Sequence, residues 1–115
     1  MIEDTTIQAF NTRFTVDLNN YKKFTPAQRD QAKKYGSDAE ALLKNRELAL
    51  FVHHFKFDLA DGLILIQGHS PDDNSRRVAV ANQLTAMDAF IATLKRAVMI
   101  RNRIIEWESD PKHNQ

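Results

Sequence analysis

Between Ser37 and Gly68 apolar residues recur on two faces at once. Projected at about 100° per residue, Leu48, Val52, Phe55, Leu59, Leu63 and Ile66 fall on one broad helical face. Leu43, Leu50, Phe57 and Ile64 recur every seven residues on another. A helix with two apolar faces needs two partners, so the pattern predicts a central helix over about 38–67. Ser37, with Glu40 three residues on, has the form of a capping box that opens it. Gly62 marks a close approach, a kink or a split. A narrow polar stripe of Glu47, His54, Asp58 and Asp61 lies in the gap between the two faces.

Downstream, Ser70-Pro71-Asp72-Asp73 joins a cap, a proline at the first helical position and two acids at the positive end of a helix dipole. The helix it starts is predicted to run over about 71–108. Its seam is Val80, Leu84, Met87, Ile91, Leu94, Val98 and Ile105, interrupted by Arg101, with coiled-coil-like spacing. A second ridge, Phe90, Ala97, Ile100, Ile104 and Trp107, follows on its C-terminal half. Unbroken, such a helix is roughly 55 Å long at 1.5 Å per residue. It must therefore break or project from a domain of this size.

Upstream, Ile7, Phe10, Phe14, Leu18 and Tyr21 keep the period of one helical face. The β-branched Thr12, Thr15 and Val16 weaken that helix. Thr25-Pro26-Ala27-Gln28 is a capped start with proline at the first position, and Gly36 is placed to close the short polar helix that follows. The expected fold is all-α: a helical bundle built on an antiparallel hairpin of two long helices (about 38–67 and 71–108), with one or two shorter N-terminal helices. Residues 1–115 read as one domain, with 1–4 and 110–115 as frayed tails.

Composition narrows the function classes. Hydrophobic residues at 43% and charged residues at 27% describe a folded chain. Three glycines and three prolines leave few turns and favour long helices. With 16 basic and 15 acidic residues, bulk charge does not drive nucleic-acid binding, although a local patch can. The absence of cysteine excludes disulfides, thiolate catalysis and Cys-type zinc sites. No apolar run reaches the ~18–20 residues of a membrane span. MIEDTTIQAF carries acid early and lacks a signal-peptide core, so the expected location is cytoplasmic. There is no Gly-x-Ser-x-Gly elbow and no phosphate-binding glycine loop, so nucleophilic catalysis has no support and no cofactor is expected.

Three clusters carry candidate chemistry. Glu47, His54, Asp58 and Asp61 share one helical edge and could offer carboxylate and imidazole to a divalent ion. Asp58-Leu59-Ala60-Asp61 resembles the acid-x-x-acid spacing that all-α magnesium-dependent nucleotide hydrolases use on a helix. Such a site needs a second acidic pair on a neighbouring helix. Otherwise the stripe is a solvated face, or one paired with Arg76 and Arg77. His53 and His54 point about 100° apart and do not readily share one metal. Lys95, Arg96, Arg101 and Arg103 crowd two turns and suit phosphate, as a nucleic-acid or nucleotide contact, or simply favour a helix C-terminus. Lys22, Lys23, Lys33 and Lys34 could extend that basic surface. The ridge of Phe90, Ile100, Ile104 and Trp107 either receives the first helix or forms an interface for self-association or a protein partner.

The leading expectation is a non-enzymatic helical interaction protein: a small regulator, inhibitor or assembly factor of bacterial or phage-like type. It would act through self-association or a protein partner. The alternatives are a nucleic-acid or nucleotide-binding adaptor built on the basic cluster, and a metal-dependent all-α nucleotide hydrolase built on the acidic stripe.

Overall fold

The computed structural model describes residues 2–113. It is nearly all helical, and no strand occurs among the described residues. The helices are α1 (Thr6–Thr12), α2 (Pro26–Leu43), α3 (Arg46–Ile64) and α4 (Pro71–Ser109), with 3-10 segments at Glu3–Thr5, Leu18–Lys23 and Pro111–His113. The tails expected at 1–4 and 110–115 thus hold short 3-10 turns; Met1, Asn114 and Gln115 lie outside the described residues.

Two helix starts follow local cap chemistry. The Thr25 hydroxyl accepts from Gln28 N–H at 3.2 Å, and the Gln28 side chain accepts from Thr25 N–H at 2.9 Å. Ser70 and Asp73 make the same reciprocal pair, at 3.1 and 3.2 Å, at the start of α4. Each satisfies two amide groups that a helix start otherwise leaves unpaired.

The helix expected over 38–67 does not form as one element. Gly36 does not close α2, and Ser37 does not open a new helix; α2 runs through both to Leu43. The reason is packing. A Cβ on Gly36 would meet the Arg101 side chain and come within 2.6 Å of the Ala97 carbonyl oxygen. Gly36, with the buried Ala32 and Ala39, lets α2 lie close on α4. The break falls instead at Lys44 and Asn45. Asn45 is extended, and its side-chain oxygen accepts from Leu48 N–H at 2.7 Å, capping α3. Gly62 neither splits α3 nor serves a close approach, since a Cβ there would meet nothing within 4 Å.

The helix expected over Ile7–Tyr21 is also cut short. The chain turns extended at Arg13, and Ile7 and Phe10 remain exposed. Phe14, Val16, Leu18 and Tyr21 still reach the core, carried there by an irregular segment and a 3-10 turn.

α2 lies antiparallel to the C-terminal half of α4, with Arg29 and Lys33 meeting Glu108 at one end and Ala39 packed by Leu94 and Ala97 at the other. α3 continues along the N-terminal half of α4, with Lys56 bonded to Asp88 at 2.9 Å and Arg77 donating to the carbonyls of Ile66 and Gly68. α2 and α3 therefore run end to end beside α4. α4 is unbroken over 39 residues, about 58 Å, and projects rather than breaks. The molecule measures 66 × 31 × 28 Å.

The core is confined to one end. One cluster joins Phe24, Ala32, Ile100 and Ile104, and a second joins Ala39, Leu94 and Ala97. No residue of α3 is buried, and none of α4 before Leu94.

Candidate interaction surface

α3 places one of its two apolar faces against α4. Leu48, Val52, Leu59 and Ile66 are half-buried there, while Phe55 and Leu63 of the same face stay partly exposed. The other face is open. Leu50 is 42% exposed, Phe57 63% and Ile64 75%. At about 100° per residue these three stay within about 40° of one another, nearly opposite the face on α4. Phe51 and Leu65 are exposed as well. Among the described residues no element covers this second face; Leu43 alone of it reaches a core cluster.

Two aromatic–imidazole pairs order this surface. His53 stacks on Phe57 with ring centres 6.4 Å apart, and His54 meets Phe51 edge-on at 6.5 Å. Beside the α2–α3 break lies a cavity of about 450 Å³. Leu42, Leu43, Leu48, Val52, Ile91 and Leu94 line it, with Lys56 and Asp88 at its wall.

Among the described residues no group of three or more His, Asp or Glu side chains is placed to hold an ion. Glu47, His54, Asp58 and Asp61 keep to one exposed edge of α3, and Asp88 of α4 is engaged by Lys56. Arg76 and Arg77 do not pair with the stripe. Arg76 binds Asp73 at 2.6 Å, and Arg77 holds the Ile66–Gly68 turn.

The basic cluster divides by helix geometry: at about 100° per residue Arg96 and Arg103 stay within about 20° of one another, while Lys95 and Arg101 lie on other sides of α4. Arg101 turns toward α2 and pairs with Glu40. Lys95 lines the cavity at the break. Arg103 lines a separate cleft of about 420 Å³ with Tyr21, Lys22, Glu106, Trp107 and Asp110, where acid and base alternate. Arg96 is exposed. Of the lysines that could extend the surface, Lys33 binds Glu108 at 2.7 Å and Lys34 binds Asp38 at 2.8 Å.

The ridge expected as an interface is largely used within the chain. Ile100 and Ile104 are fully buried, because α2 and the segment around Phe14–Phe24 cover them. Trp107 is half-buried under the Arg29 guanidinium, 5.1 Å from its ring centre. Phe90 alone of the four is exposed.

Ion pairs concentrate at the packed end. Glu108 accepts from Lys33 at 2.7 Å and from Arg29 at 3.1 Å. The Lys33 hydrogen bond, with help from Arg29 and against partial burial, holds the Glu108 carboxyl below its ordinary range; the same contact raises Lys33. Glu40 is lowered by its hydrogen bonds from Lys44 and Arg101. Asp73 is lowered by hydrogen bonding at Ser70, the cap of α4.

No helix among the described residues is long and apolar enough to cross a membrane. No family model matches the chain, and no solved structure matches it. The chain is 29% identical over 75 residues to xylose isomerase from Halalkalibacterium halodurans, a match that covers 65% of this chain. It spans 17% of that protein's length.

Proposed function

We propose that this chain is a non-enzymatic helical interaction protein, a small regulator, inhibitor or assembly factor that engages another polypeptide through α3. One observation carries the reading: a 19-residue helix with no buried residue presents an apolar ridge of Leu50, Phe57 and Ile64 outward. Monomeric proteins seldom leave contiguous apolar surface uncovered unless something binds it. The basic cluster and the acidic stripe lack comparable support, since their members diverge, pair within the chain or stand along a solvated edge.

Phe57→Glu tests the proposal. Phe57 supports no core cluster, so the variant should keep wild-type far-UV circular dichroism and unfold within about 0.5 kcal/mol of wild type. Used as bait in the native host, wild type should retain a polypeptide that Phe57→Glu loses. Arg96→Glu, on the far half of α4, should retain it. Equal capture by all three would remove α3 from the function.

A further inference from the structure

We infer that the polypeptide seated on the open face of α3 is a second copy of this chain, with the two α3 helices antiparallel and Phe57 on the twofold axis. The inference rests on the interaction reading above and names its partner.

The ridge is self-complementary. Leu50 and Ile64 lie seven residues either side of Phe57. An antiparallel pair centred on Phe57 sets ring against ring at the axis and Leu50 against Ile64 of the second copy, twice. A twofold contact needs this property, because the same surface must fit itself. Heptad spacing is also the period at which two helices keep one side chain row in register.

A polar pair, imidazole with carboxylate, fits the same register. His54 and Asp61 stand seven apart on one flank of the ridge. In the antiparallel pair His54 comes level with Asp61 of the second copy, offset by about one helical rise of 1.5 Å, on the same side. Symmetry makes two such pairs. Arg46, at the start of α3, reaches the carbonyl end of the other α3, where a cation is favoured. The two helix dipoles also oppose. A parallel pair would instead set the two N-termini side by side and forgo the His54–Asp61 match.

The shape of the molecule permits the overlap. α3 spans about 28 Å, and the chain turns back just past it. Each packed end therefore extends beyond the tip of the other copy, and the overlap involves the arms alone. The stripe of Glu47, His54, Asp58 and Asp61 then becomes the polar rim of an apolar interface, as is usual for protein contacts.

The chain has no cysteine, so single substitutions report neighbours cleanly. Wild type should sediment as a dimer, and Phe57→Glu should weaken association at least about tenfold while keeping its helix content. Under mild oxidation Phe57→Cys should cross-link to itself, since it would meet its own copy within disulfide reach. Leu50→Cys and Ile64→Cys should each cross-link poorly alone and readily when mixed. A monomer across the concentration series overturns the inference, and so does Leu50→Cys pairing with itself as fast as with Ile64→Cys. If the wild type is monomeric yet Phe57→Glu still loses a different host protein, the inference fails and the interaction reading stands. If Phe57→Glu changes neither association nor capture, both fail.

Discussion

Ile104, near the end of α4, is fully buried between α2 and the Phe14–Phe24 segment, while Phe57, midway along α3, is mostly in solvent. The two residues stand for two halves of one molecule. At the packed end, small residues at Ala32, Gly36, Ala39 and Ala97 bring two backbones close, aromatic side chains cover the seam, and Glu108 ties α2 to the end of α4. At the distal end, larger side chains face outward and the helices touch sparsely. The distal arm is the more apolar of the two in sequence, and yet the less buried. Hydrophobicity alone does not make a core; a partner surface does. In this chain the short helices needed to cover a second face are spent on the first.

The comparison predicts its largest effect at Ile104. Ile104→Ala removes a fully enclosed side chain and should cost about 2–5 kcal/mol in urea unfolding. Phe51→Ala, on the distal arm, should stay within about 0.5 kcal/mol. Similar losses at both sites would mean that the arm is packed in solution. Gly36→Ala comes next. The helix gains up to about 1 kcal/mol of propensity, but the new methyl meets the Ala97 carbonyl and the Arg101 side chain. Overpacking costs about 1–3 kcal/mol, so a net loss of about 1 kcal/mol is expected in thermal melts. A stabilised Gly36→Ala would show that α2 and α4 are not in close contact. The smallest effect concerns pH. The Glu108 carboxyl is lowered in the fold, so its contribution is complete above its ordinary value of 4.5 and is lost as pH falls through the lowered value. Glu108→Gln should flatten the acid side of the stability–pH curve. An unchanged curve would remove the ion-pair cluster from the packed end.

Local chemistry was legible in the sequence, and tertiary choices were not. Thr25 with Gln28 and Ser70 with Asp73 cap within four residues, so their spacing alone located the starts of α2 and α4. Gly36 looked like a helix stop because glycine often ends helices. Its role here depends on Ala97 and Arg101, more than sixty residues away. Asn45 carried a signal in its residue type, since asparagine is a strong cap, but the heptad from Leu43 to Leu50 ran across it and suggested continuity. The two faces of α3 were visible as periodicity. Which of them α4 would take, and that the other would stay open, depended on α2 occupying the ridge at Ile100 and Ile104. The candidate surface was therefore present in the pattern as a packing face, and only the fold turned it outward.

The break at Asn45 gives the two helices of the arm different origins. Helix growth from an existing turn is easy, whereas starting a turn is costly. The N-terminal half of α4 extends a helix already held by Leu94, Ala97 and Ile100, and Ser70 closes its far end. α3 begins anew behind its own cap and has no buried residue to hold it. Under mild denaturant the amides of α3 should therefore exchange with solvent before those of α4 beside it. Whatever binds α3 then suppresses that opening, so slowed amide exchange along α3 reports occupancy by a partner while the helix itself persists in the free chain.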